Sequence, residues 1–279
     1  MKTRIIIDST ANMRLDLYDK VTVLPLTVRF KEEEYIDGVT ITNEEFYEKL
    51  AVADELPSTS QGTPEAFSKL FEEVKAAGDE AVVITIASKL SGTCQSANIA
   101  AMEYDNIYVV DSGNVAVGSG VLTEYAIRLM EEGKSAKEIK EILDRDKEKV
   151  HIIAMVDTLK YLKMGGRISG VVAFAGELLN IKPIVEVFDG EIHQISKARG
   201  LKMANQVLLN EINKVGQVDY TKPVRFGHSG VTDAGIQQFF DNTKDFWAEG
   251  NAELSSVLMG SIIGTHAGPG IIAIAFFEK

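Results

Sequence analysis

The run Ala81-Val82-Val83-Ile84-Thr85-Ile86-Ala87, followed by Ser88-Lys89-Leu90-Ser91-Gly92-Thr93, holds the strongest architectural signal in the chain. Its first seven residues are apolar except for Thr85 and rich in β-branched side chains. That is too short for an ordinary helix and matches a strand buried on both faces. The strand empties into a loop of hydroxyl residues, and a helix is predicted from about Cys94 to Met102. The texture recurs on both sides: Ile5–Ile7 runs into Asp8-Ser9-Thr10, and Ile107–Val110 runs into Asp111-Ser112.

Helices are predicted between these strands. Thr42-x-x-Glu45 is a capping box that opens a helix to about Ala51, and Thr63 with Pro64 starts another through Lys75, stopped by Gly78. Leu122–Glu132 and Ala136–Asp146 read as helices joined at Gly133. Val21–Phe30 reads as one more strand, and Leu56 to Gln61 as a loop by composition. This alternation predicts an N-terminal, mostly parallel, three-layer α/β/α domain over residues 1–150. In open sheets of this kind the ligand crevice lies beyond the carboxyl ends of the strands, where the polar loops are.

From Val150 the pattern changes. Strands are expected at His151–Met155, Val224–His228 and Ile271–Phe277, and helices at Thr158–Met164, Leu201–Val215 and Ile236–Trp247. Ile184–Phe188 and Glu191–Ser196 flank Asp189-Gly190, a hairpin signal. Residues 151–279 are therefore expected to form an α+β domain with a mixed sheet.

The chain has 279 residues, 45% of them hydrophobic and 25% charged, which suits a globular protein with a real core. The net charge of −12 argues against non-specific nucleic-acid binding, which needs a basic footprint. The acidity is uneven: residues 1–150 carry 28 acidic against 17 basic side chains, and residues 151–279 carry 13 against 12. Lys160, Lys163 and Arg167 form a small basic island with no acidic residue between Asp157 and Glu177. The single cysteine, Cys94, rules out an internal disulfide and fits a reducing cytoplasm. The N-terminus leads straight into a strand pattern rather than a leader, and no apolar run reaches the roughly 18 residues of a membrane span.

Familiar catalytic motifs are missing. Gly133-Lys134-Ser135 has the tail of a P-loop, but Arg128 stands where its first glycine belongs. There is no Gly-x-Gly-x-x-Gly and no Gly-x-Ser-x-Gly, and the four histidines lie far apart in sequence. No metal site is expected. What remains is a set of hydroxyl residues on loops, Ser9-Thr10, Thr59-Ser60, Ser91 and Thr93, with His266 in Gly264-Thr265-His266-Ala267-Gly268-Pro269-Gly270. Hydroxyls and the amides of a helix start can hold a carboxylate or phosphate. The same residues serve equally as helix caps, and the basic island as a solvated face. Taken alone they describe an α/β protein with an anion-friendly crevice.

These residues also carry a family resemblance. Ile6-Ile7-Asp8-Ser9-Thr10, Pro57-Ser58-Thr59-Ser60-Gln61, Ser91-Gly92-Thr93-Cys94-Gln95-Ser96-Ala97 and Val110-Asp111-Ser112 lie in the first half. The second half adds the run from Leu159 to Ser169, which contains Gly165-Gly166-Arg167-Ile168-Ser169. Leu179-Asn180-Ile181-Lys182-Pro183-Ile184 and His266-Ala267-Gly268-Pro269-Gly270 follow it. In this order they resemble the DegV family, the fatty-acid-binding subunit (FakB type) of bacterial fatty acid kinase. The resemblance implies a two-domain α/β fold with an acyl chain lying between and into the domains. It implies a carboxylate held by Thr59 and Ser91 with support from Ser60, Thr93 and His266. Arg167, with Lys163 in the same basic segment, would meet a separate kinase subunit that binds ATP and forms the acyl phosphate. No cofactor is implied beyond a bound fatty acid of the C16–C18 class. Met164, where the family is often basic, and Cys94, where an aromatic is common, depart from the pattern.

Sixteen carbons bring about fourteen methylenes, each worth roughly 0.8 kcal/mol on leaving water, so gross burial on the order of 10 kcal/mol is on offer. Apolar stretches at Val171–Ala175, Leu178–Leu179, Val257–Met259, Ile262–Ile263 and Ile271–Phe277 are candidate tunnel walls, or simply core. Two other readings stay open. One is a small-molecule kinase or phosphatase using Asp8 and Asp111 around Mg²⁺; the other is a sensor or interaction protein whose lipid is structural.

Overall fold

Along the first 150 residues the chain runs β1 (Thr3–Asp8), β2 (Thr22–Leu24), β3 (Thr27–Phe30), β4 (Glu33–Ile36), α1 (Asn43–Ala51), β5 (Ser58–Ser60) and α2 (Pro64–Ala76). It continues through β6 (Glu80–Thr85), α3 (Thr93–Ala101), β7 (Ile107–Asp111), α4 (Val117–Glu131) and α5 (Ala136–Asp146). The computed structural model describes residues 1–169, 180–248, 250 and 252–279. Four of these strands form a parallel sheet in the order β2-β1-β6-β7. Side chains alternate between its faces as the period of two requires. Ile6, Ala81 and Val83 pack with Phe67, Phe71 and Ala97 of α2 and α3, while Ile5, Ile7, Val82 and Ile84 pack with α4 and α5.

Val21–Phe30 is two strands and not one. Pro25, which has no N–H to give a ladder, separates them. β2 extends the parallel sheet, and β3 is the centre of a small antiparallel sheet ordered β4-β3-β5. The expected loop from Leu56 to Gln61 likewise holds a strand. Its Ser-Thr-Ser composition signals a turn, but the open edge of β3 gives it a ladder, with Thr59 opposite Val28.

The remainder runs β8 (Val150–Met155), α6 (Lys160–Met164), β9 (Ile181–Phe188), β10 (Glu191–Arg199), α7 (Leu201–Val215) and β11 (Arg225–His228). It ends with α8 (Ala234–Ala248), β12 (Ser256–Leu258), α9 (Ser261–Ala267) and β13 (Ile272–Phe277). A six-stranded mixed sheet is ordered β10-β9-β8-β13-β11-β12, with only the β11–β12 pair parallel. The β9–β10 turn places Asp189 and Gly190 at φ 50° and 71°, as a two-residue hairpin turn demands. α7 and α8 cover one face around Trp247, Phe226 and Phe239.

The other face lies against α4, which is thus packed between both sheets. α4 begins at Val117 instead of Leu122. Glycines at 118 and 120 weaken a helix by propensity, yet a Cβ on Gly120 would sit 1.9 Å from the Asn12 carbonyl oxygen, so the close packing of α4 needs them. Glu124 of α4 takes two hydrogen bonds from Arg225 of β11, at 2.6 and 2.9 Å, both partners buried. The first half is therefore a parallel α/β/α arrangement and the second an α+β arrangement on a mixed sheet. Of the expected tunnel walls, 171–175 and 178–179 lie outside the described residues. No helix among the described residues is long and apolar enough to cross a membrane.

Candidate functional site

The loops beyond β1, β6 and β7 are tied together by two carboxylates. Asp8 is buried and accepts from the Thr10 amide at 2.9 Å, the Thr10 hydroxyl at 2.5 Å and the Ile86 amide at 2.7 Å. Burial pushes its carboxyl up, against the downward pull of those bonds. Asp111 accepts from the amides of Gly113 at 2.9 Å and Ser88 at 3.2 Å. The two aspartates considered as a magnesium pair therefore flank β6 and hold backbone, fixing the loop that carries Ser91.

Four elements converge on one cavity: β5 brings Thr59 and Ser60, the approach to α3 brings Ser91, the segment after α6 brings Arg167, and the last turn of α9 brings His266. Thr59 Oγ1 and His266 Nε2 are 2.7 Å apart. The imidazole pKa is lowered to about 4, first by burial and then by the nearby Arg167 cation, so the ring is neutral at pH 7. A neutral ring protonated on Nε2 donates to Thr59 Oγ1 and leaves the Thr59 hydroxyl proton for an anion. Gly165 stands against the opposite ring nitrogen; a Cβ there would be 2.6 Å from Nδ1.

Ser91 Oγ lies 2.9 Å from Thr93 Oγ1 and accepts from the Thr93 amide at 3.3 Å. Thr93 is fully buried and accepts from the Gly62 amide at 3.2 Å, so it orients Ser91 and the β5–α2 loop from behind the cavity wall. The wall is also the start of α3, whose positive dipole end favours an anion. Arg167 donates from Nε to the Leu90 carbonyl at 3.3 Å and from Nη1 to the Gly165 carbonyl. That leaves further N–H groups of its five to face the cavity.

α9 is a second-half helix held by the first half. Asp37 accepts from the Ser261 hydroxyl at 2.6 Å and amide at 3.2 Å, and Tyr47 donates to the Met259 carbonyl at 3.0 Å. Gly264 lets it lie directly on Phe46 and Tyr47, a Cβ there being 2.4 Å from the Phe46 ring. His266 is thereby held to β5 at the polar mouth.

The cavity has a volume of about 200 Å³, with Ile86, Leu90, Val115, Leu162, Ile192, Ile262 and Ile263 as its apolar lining. A second cavity of about 50 Å³ shares Val115, Leu162, Ile192, Ile263 and Ala267 with it and reaches the mixed sheet at Ile152, Ala154, Val185 and Ala273. Among the described residues, Glu186 is the only ionisable one on this deeper wall. The polar end is the exposed end, at Ser60 and Gln61. The whole is an amphipathic channel with hydroxyls, imidazole and guanidinium at the mouth and aliphatic side chains within.

The structure thus brings Thr59, Ser60, Ser91, Arg167 and His266 to one cavity and sets Thr93 behind it. Lys163 is exposed on α6, one turn from Arg167, and is not among the lining residues. Val257–Met259 and Ile262–Ile263 divide: Met259, Ile262 and Ile263 line the channel, while Leu258 packs in the first-half core. Sequence reasoning missed Gln61 and Ile192. Gln61 stands in the Ser-Thr-Ser-Gln run, and its amide oxygen would be only 2.1 Å from a Cβ on Gly92, which makes that glycine the available signal. Ile192 is in the β9–β10 hairpin, and its carbonyl accepts from Ser169 at 2.8 Å. Nothing local marks it.

A family model described as an uncharacterised protein of the DegV family matches residues 2–279. A DegV domain-containing protein of Caldanaerobacter subterraneus is 34% identical over 285 residues, covering 100% of this chain and 99% of the relative. A Thermus thermophilus DegV family protein, described for its fatty acid binding, superposes with a TM-score of 0.87 at 30% identity, covering 100% of both chains. A stearic-acid-binding protein of Eubacterium ventriosum superposes with a TM-score of 0.82 at 29% identity, covering 100% of this chain and 99% of that one.

Proposed function

The chain belongs to the DegV family, and we propose that it holds one long-chain fatty acid of the C16–C18 class and presents the carboxylate to a separate ATP-dependent kinase subunit. The observation that carries this reading is the channel itself: a hydroxyl-rimmed mouth that continues into an aliphatic interior. A carboxylate taken from water needs hydrogen bonds to offset its desolvation. Thr59 and Ser91 supply them, Ser60 adds a third hydroxyl, and Thr93 and His266 orient the first two. Residues 1–150 act as the head-group domain, and residues 151–279 supply the deeper wall and the partner-facing basic segment.

In this reading, of the FakB type, the chain catalyses nothing. Arg167 and Lys163 meet the kinase subunit, which forms the acyl phosphate while the tail stays buried, as suits a cytoplasmic protein handling a poorly soluble substrate. Neither a nucleic acid nor stable insertion in a membrane has a part in it. Two solved relatives described as binding fatty acids share the fold over the full chain and support the ligand class.

Delipidated protein should take up one equivalent of palmitate or stearate in native mass spectrometry. Thr59→Val with Ser91→Ala should lower the affinity by about a hundredfold or more, on the order of two hydrogen bonds to a charged group. Full affinity in the double variant removes the head-group assignment. With the kinase subunit present and fatty acid saturating, Arg167→Ala should slow acyl-phosphate formation beyond any loss of uptake that its place at the mouth brings, and a wild-type rate at saturation removes the partner assignment.

A further inference from the structure

We infer that two alanines of the mixed sheet, Ala154 and Ala273, set the length of acyl chain this protein accepts. The inference rests on the fatty-acid reading above and concerns the far end of the same channel. β8 and β13 are antiparallel with Ala154 directly opposite Ala273, and Ala154 is also opposite Val185 of β9. Side chains directly opposite one another on antiparallel strands stand about 5 Å apart, so the two methyls form one continuous low spot. The residues two places to either side of Ala154 are larger, Ile152 in β8 and Val156 just beyond its end. All of these belong to the cluster that faces α4. A helix pressed directly on two alanines would close the space over them. Here the second cavity opens above them instead, bounded by Ile152, Val156 and Val185.

With the carboxylate at Thr59 and Ser91, the tail enters through the shared walls at Val115, Leu162 and Ile263 and ends over this spot. The methyl end of the acid then touches sheet, and whatever volume stands at 154 and 273 stops it. Each methylene kept from burial lowers affinity about fourfold, and two about fifteenfold. A branched side chain at either position fills the place of about two terminal carbons, since packed interiors have no spare room to absorb it.

The test is competition. Delipidated full-length protein is offered an equimolar mixture of saturated C12, C14, C16 and C18 acids and the bound species are weighed by native mass spectrometry. Ala273→Val and Ala154→Leu should move the preferred length down by about two carbons, with C18 losing about fifteenfold against C14. Val185→Ala, which adds room at the same spot and does not overpack the core, should move preference toward C18. It keeps the inference testable if the larger side chains prevent folding. A folded set with the wild-type length profile, or a loss equal across all four acids, overturns the inference and leaves the fatty-acid reading standing. If the wild-type protein takes up none of the acids, both fall together.

Discussion

Replacing Gly165 by alanine probes whether the His266–Thr59 contact aligns the mouth of the channel. Gly165 has an ordinary helical φ of −73°, so alanine meets no backbone strain. Its Cβ, however, would lie 2.6 Å from His266 Nδ1, and ordinary contact begins at 3.4 Å, so the ring must shift by about 0.8 Å. A bond of 2.7 Å between Nε2 and Thr59 Oγ1 cannot survive a shift of that size in either direction. Overpacking of this kind costs about 1–3 kcal/mol of stability. Losing the alignment of one hydrogen-bonding hydroxyl, worth about 1 kcal/mol, lowers fatty-acid affinity roughly five- to tenfold. The neighbouring Gly166 is the control. It has φ +69° with nothing within 4 Å of a Cβ, so Gly166→Ala carries only the left-handed backbone penalty of about 1–2 kcal/mol and leaves uptake unchanged. Thermal denaturation and palmitate titration by native mass spectrometry read the two effects separately. Wild-type affinity in Gly165→Ala, or an equal loss in Gly166→Ala, refutes the alignment argument.

Acid should destabilise the protein partly through His266. Its ring takes a proton only near pH 4 in the fold but near 6.5 when unfolded, so its contribution is complete above 6.5 and is lost as pH falls through that window, by at most about 3 kcal/mol. His266→Gln should flatten the fall in melting temperature between pH 7 and 4, and parallel profiles for the two proteins would reject this. Glu124→Ala strands the buried Arg225 guanidinium and should cost about 3–5 kcal/mol in denaturant titrations, whereas Glu124→Leu with Arg225→Met should recover much of it. The exposed pair Lys89–Asp189, at 2.7 Å, joins the halves only at the surface, so Lys89→Ala should leave the melting midpoint in place.

What could be read from the sequence was whatever is written locally. β6, with all six residues buried, and the capping box at Thr42 follow from runs of a few residues. The break at Pro25 and the strand at Ser58–Ser60 depended on which edge the chain meets, and no neighbouring residue states that. α9 was invisible for the same reason. Its helix is short and carries a poor helix former, Gly264, at its middle, and the carboxylate that fastens its first turn comes from Asp37, far away in the chain. In the site, Thr59, Ser91 and His266 could be picked out as chemistry, but the bond between Thr59 and His266 spans 207 positions and needed the fold. The deep wall was the least legible part, since Ala154 and Ala273 differ from any other core alanine only in the empty space above them.

The placement of α4 has a consequence for how the protein comes apart. Residues from Ile5 to Phe277 belong to a single apolar cluster that wraps this helix, so neither half can be peeled away without baring a greasy flank of the other. Unfolding should proceed as one cooperative event, and a chain severed near residue 150 should yield two sticky fragments instead of two free-standing modules.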